Sequence, residues 1–154
     1  MAQFDEEYWA NIISGYYVSD LNTCITAINT DKNDGLSMLA VANDAFLYGL
    51  QHSVPCFNPF VVFTSEVLEG GDDLSVVNAR LNVSLVHSIQ TMTGPDAFKL
   101  MYRYKKALRD VILGRYNSLT GIRYTIMNNQ LVEFQTETGI MQSVSIGIDY
   151  SIGY

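Results

Sequence analysis

The sequence predicts an α+β fold: an antiparallel or mixed sheet of about five strands, with a long helix and N-terminal helices packed on it. Three stretches point to it. Between Pro95 and Leu113, the residues Ala97, Leu100, Met101, Tyr104, Ala107, Leu108 and Val111 recur three, four and seven apart, an apolar stripe down one helix. Lys99, Arg103, Lys105, Lys106 and Arg109 take the opposite side. From Val76 to Ile89 the chain alternates, with Val77, Ala79, Leu81, Val83, Leu85 and Ile89 against Asn78, Arg80, Asn82, Ser84 and Ser88, as a strand does when one face packs and the other is wet. The alternation returns from Ser143 to Tyr154, where Val144, Ile146, Ile148, Tyr150, Ile152 and Tyr154 share one side.

The 154 residues suit one domain able to bury a core without staples, with a helical part over 1–53 and the sheet plus central helix over 54–154. Asp5 predicts an N-cap for a short helix carrying Tyr8, Ile12, Ile13 and Tyr16 and closed by Gly15. A second helix is expected from Ser19 or Asp20 through Ile28, ending in the polar run 29–35. That run fails as a calcium loop, because counting back from Gly35 places Lys32 at a ligand position and Phe46 where the closing acid belongs. From Ser37 to Gln51, Leu39, Ala42, Phe46 and Leu50 are spaced for a third helix, apolar on a second side through Met38, Val41, Ala45 and Tyr48.

Phe60 to Thr64 reads as a strand, and Glu69-Gly70-Gly71-Asp72-Asp73 as the turn of a hairpin leading into Val76. Pro95 at the first helical position, Asp96 against the positive helix end and Gly114 beyond the last turn bound the central helix. Two further strands, Gly121 to Met127 and Gln130 to Thr138, are expected to be joined by a tight turn at Asn128-Asn129, with Gly139 marking the next reversal.

Composition narrows the function. The formal charge of −7 argues against a sequence-independent nucleic-acid binder, which needs cations to neutralise phosphates. The charge is also uneven: residues 1–75 hold eleven carboxylates against Lys32 alone, while 76–154 hold eight basic and five acidic residues. Six of the nine cations sit on or just after one helix, as a solvated face or as one half of a contact between copies. Cys24 and Cys56 form no motif and read as buried thiols. No secretory signal or membrane span is visible.

Catalytic, cofactor and metal sites are not predicted. His52 and His87 lie on different elements, and His87 falls in the apolar phase of its strand, as a satisfied core or edge histidine would. Glu66, Glu69, Asp72 and Asp73 are explained by a solubilising loop without a cation. Of the seventeen tyrosines and phenylalanines, most fill a core, whereas Tyr102, Tyr116 and Tyr154 stand near polar faces or ends.

The element order is helices, Pro59-Phe60-Val61-Val62-Phe63, an acidic glycine turn, a long alternating strand, a helix opening Pro95-Asp96-Ala97-Phe98 and a closing Val144-Ser145-Ile146-Gly147-Ile148-Asp149-Tyr150. This resembles the tail terminator proteins of long-tailed bacteriophages, also described as tail-to-head joining or tail completion proteins, from about Pro55 onward. The resemblance implies helices on one face of an antiparallel sheet and subunits closing into a ring, usually a hexamer. Such a ring caps the tail tube, halts tube polymerisation and meets the head-side connector or stopper. DNA passes through it without specific binding. The protein would then be a virion component of the phage neck, assembled in the host cytoplasm, with no enzymatic activity and no membrane partner. No functional residue transfers from the family. The interface candidates are Glu66, Glu69, Asp72, Asp73, Lys99, Arg103, Lys106, Tyr102 and Tyr154. Another connector, stopper or tube component is the neighbouring alternative. A small α+β enzyme or ligand-binding domain is the alternative of another class, recognisable by a deep polar pocket.

Overall fold

The computed structural model describes residues 6–49, 58–68, 76–115, 123–128, 132–136 and 139–153. Helix α1 (Glu6–Lys32) is one continuous element of 27 residues, in place of the two short helices that the spacing predicts. The reason is phase. Ile13, Tyr17, Leu21, Ile25 and Ile28 are all buried and fall on a single stripe, so the chain gains nothing by breaking at Gly15. Ser19, Thr26 and Thr30 return their hydroxyls to carbonyls one turn back. Asp5, the expected cap, lies outside the described residues.

The helix ends where Asn33 (φ 41°) and Gly35 (φ 82°) enter the left-handed region. The predicted third helix over 37–51 is absent: among its described residues the chain is extended, with a 3-10 turn at Asn43–Ala45 and a short strand, β1 (Phe46–Tyr48). Two asparagines of α1 explain the difference. Asn29 accepts from the Met38 amide (2.8 Å) and donates to its carbonyl (3.0 Å), and Asn22 does the same for Val41 at 2.8 Å each way. The Leu39 amide donates to the Tyr104 hydroxyl at 3.0 Å. Side chains from both helices thus satisfy an extended backbone that would otherwise need its own ladder.

The sheet holds six strands in the order β1-β2-β3-β6-β4, with β5 also on β6. They are β1, β2 (Phe60–Leu68), β3 (Val76–Ser88), β4 (Arg123–Asn128), β5 (Val132–Thr136) and β6 (Gly139–Gly153). Only β1 with β2 is parallel; the remaining pairs are antiparallel, so the sheet is mixed and the fold is α+β. The five expected strands are present, and β1 makes the sixth. The predicted reversal at Asn128-Asn129 does not occur. Asn128 pairs with Ile146 and Val132 with Ser143, and β4 and β5 run the same way along β6, so they pair with it in succession and not with each other. The reversal at Gly139 does occur, with φ 125° and Thr136 facing it across the hairpin.

Helix α2 (Gly94–Gly114) forms as predicted, its Thr93 hydroxyl accepting from the Asp96 amide at 3.3 Å. Both helices pack on one face of the sheet. Ala79, Leu81, Val83 and Leu85 of β3 meet Val144, Ile146, Ile148 and Tyr150 of β6 beneath Leu100, Tyr104, Leu108 and Val111. Tyr17 joins the layers: its hydroxyl donates to the Leu108 carbonyl at 2.8 Å and its ring lies 6.1 Å from that of Phe63. Burial pushes its phenol well above the ordinary value, so it stays a donor.

Candidate functional site

On the face of the sheet turned away from the helices, the central parts of β3 and β6 carry a run of polar side chains, and Phe60, Val86 and Met141 bury the end beyond it. Strand alternation places Asn78, Arg80, Asn82 and Ser84 of β3 there, beside Ser151, Asp149, Gly147 and Ser145 of β6. They pair with one another. Arg80 reaches Asp149 through Nε at 2.5 Å and Nη2 at 3.0 Å, and Glu66 of β2 lies 3.5 Å from its Nη1. The Asp149 carboxylate is the first cause of a raised Arg80 guanidinium pKa. Ser84 and Ser145 hydroxyls meet at 2.8 Å, and Ser151 donates to Asn78 at 2.5 Å. Two carboxylates flank the Arg80 guanidinium, so that cation is already matched and offers a phosphate little to hold.

Helix α2 carries the cations. Lys99 and Tyr102 are exposed, Tyr102 at 57%, and Lys106 is exposed while holding Asp110 one turn on at 2.6 Å. Arg103 departs from the predicted wet face. It is only 7% exposed and binds Asp34 through both terminal nitrogens and the Leu36 carbonyl through Nη1 at 2.6 Å. The turn at 33–36 folds back over α2 and takes that side chain inward. Arg103 holds the Asp34 carboxyl down at about 2, against an ordinary 3.8. Arg115 likewise grips Asp20 at 2.6 and 2.9 Å and lies over the Tyr16 ring at 4.8 Å.

His87 is buried, as its phase predicts. Its Nε2 meets Gln142 Oε1 at 2.8 Å, and its ring sits 4.7 Å from that of Tyr104. Burial lowers the imidazole pKa and raises the Tyr104 phenol to about 12, which leaves both groups neutral. Cys24 is half-buried, its thiol raised chiefly by burial, so it is a poor thiolate. Among the described residues no three His, Cys, Asp or Glu side chains gather as metal ligands. None of the described helices is long and apolar enough to cross a membrane.

Of the interface candidates, Glu66 is half exposed on the polar sheet face, while Lys99, Tyr102 and Lys106 share the outer side of α2. The structure does not bring Glu66 to that group. Glu69, Asp72, Asp73 and Tyr154, with Tyr116, His52 and Cys56, lie outside the described residues. Two exposed aromatics escape the sequence reading. Phe98, 58% exposed, falls outside the apolar stripe of α2, a signal that was available; Tyr48, 61% exposed, was hidden by the helical spacing of its segment.

No protein-family model and no curated protein matches the chain. Among solved structures, a chain of "Virion of native gene transfer agent (GTA) particle" aligns over 92% of this chain and 98% of its own length, at 11% identity and a TM-score of 0.43. Likeness of that degree establishes neither a shared family nor a shared role.

Proposed function

We propose that this chain is a structural protein of a phage-like virion, a tail terminator that self-assembles into a ring, caps the tail tube, ends tube polymerisation and joins the tail to the head-side connector. It works by shape and charge, with no bond made or broken. Support comes first from the order of elements and from helices lying on one side of a mostly antiparallel sheet, as the resemblance implies. The observation that carries the proposal is the opposite side of that sheet. Its Arg80, Asp149, Glu66, Ser84 and Ser145 side chains are matched to each other across three strands. A surface whose polar groups are so satisfied suits the wall of a passage through which DNA slides without sticking.

Electron microscopy of the purified protein in negative stain tests this. Rings with a central hole are expected, and growing tubes of the matching tube protein should stop at a fixed end when the rings are added. Particles without a hole, or a monomer at every concentration, overturn the proposal.

A further inference from the structure

Two patches of opposite charge, each centred on exposed aromatic rings, lie at opposite flanks of the molecule. The first is the outer side of α2. Phe98 and Tyr102 stand there edge to face, centroids 5.0 Å apart, with Lys99 and Arg109 exposed on the same side. No ion pair within the described chain occupies Lys99 or Arg109. Phe98 also rims a groove of about 340 Å³, floored by Ala97, Met101 and Ile140. α2 packs over β6, three strands along the sheet from β1.

The second patch is the β1 edge. Tyr48, at the end of this edge strand, borders a groove of about 460 Å³ lined by Asn11, Ser14, Phe63 and Leu81. Tyr8 is exposed on the first turn of α1, the helix whose Asn11 and Ser14 line that groove. Segments 6–14 and 43–49, which build the flank, contain no basic residue, and their Glu7 and Asp44 carboxylates are exposed.

Charge decides how copies can meet through these patches. A two-fold contact of α2 against α2 would set Lys99, Lys105, Lys106 and Arg109 of one copy against the same cations of the other. Contact between unlike patches removes that repulsion, joins aromatic surface to aromatic surface and leaves a free patch at each end of a pair. Repeated, such a head-to-tail contact gives a ring or a filament.

We propose that the outer side of α2, centred on Phe98 and Tyr102, docks on the Tyr8–Tyr48 flank of a second copy of this chain, with Lys99 and Arg109 facing that copy's Glu7 and Asp44. This rests on the self-assembly reading above and names its contact.

Light scattering after size exclusion tests it with two variants, each disabling one patch: Phe98→Asp with Tyr102→Asp, and Tyr8→Asp with Tyr48→Asp. Each alone should be monomeric. Their equimolar mixture should form a one-to-one dimer and stop, since each retains the patch the other lacks. Should either double variant fail to show native circular dichroism, Lys99→Glu with Arg109→Glu replaces the first and Glu7→Lys with Asp44→Lys the second, each with about a tenfold or greater loss of self-affinity. An α2 variant that still assembles like the wild type, or a mixture that stays monomeric, overturns the assignment. If the wild type nevertheless forms rings, the ring reading stands and only this contact falls; a wild type monomeric throughout removes both.

Discussion

Arg103 serves three acceptors, and Asp34 depends on it. Because the folded carboxyl is held at about 2 and its ordinary value is 3.8, the stability from this pair is complete above pH 4 and is lost as pH falls toward 2. Asp34→Asn should lower the melting temperature at neutral pH and flatten its fall over that acid range, measured by circular dichroism. His87 titrates the other way in chemistry but with the same sign in stability. Burial lowers its pKa below 6.5, so the unfolded chain takes up the proton first and stability declines as pH drops through and below that value. His87→Gln should remove part of the loss in melting temperature between neutrality and pH 5. The two residues differ in how readable they were. His87 sits in a strand, where period two fixes its side. Arg103 sits on a helix flank whose environment is made by Asp34 and Leu36, 69 and 67 positions away, and helical spacing carries no trace of them.

Among the elements, α2 and the strands were legible because each has one buried face and therefore a clean period. The segment 37–49 was not. Its helical spacing is real, yet Asn22 and Asn29 supply the partners that let it lie extended, and Met38, Val41, Ala45 and Phe46 are the side chains it buries. Only the partner helix reveals that. Gly15 misled for the converse reason: a helix breaker by propensity, it is carried along by the stripe on either side of it. An added methyl at Gly15 would meet nothing within 4 Å, and its φ is not positive. Gly15→Ala should therefore stabilise the protein by about 0.5–1 kcal/mol, read as a shift in denaturant midpoint at constant slope.

At the scale of the whole molecule, the sequence could show that charge divides between its halves but not where the halves lie. Folding places the acidic start of α1 and the β1 strand on one flank and the cations of α2 on another, a separation that depends on strand order. A chain that assembles through such flanks gains stability from its neighbours. Its melting temperature should rise with protein concentration at low ionic strength and lose much of that dependence in high salt, a comparison made directly by calorimetry. Tyr102 and Phe98 could be told from core aromatics by their place on α2, whereas Tyr8 and Tyr48 could be told from them only once their exposure was known.

Strand β6 touches β3, β4 and β5, and it is the last described element to leave the ribosome. Until it emerges, β3 has one side unzipped over thirteen residues and α2 has no floor. The nascent chain must therefore wait for β6 before the layers can lock, and during that wait the open rim of β3 is a template for a neighbouring nascent copy. Crowded synthesis on one messenger would favour strand exchange between siblings, and slower initiation would relieve it.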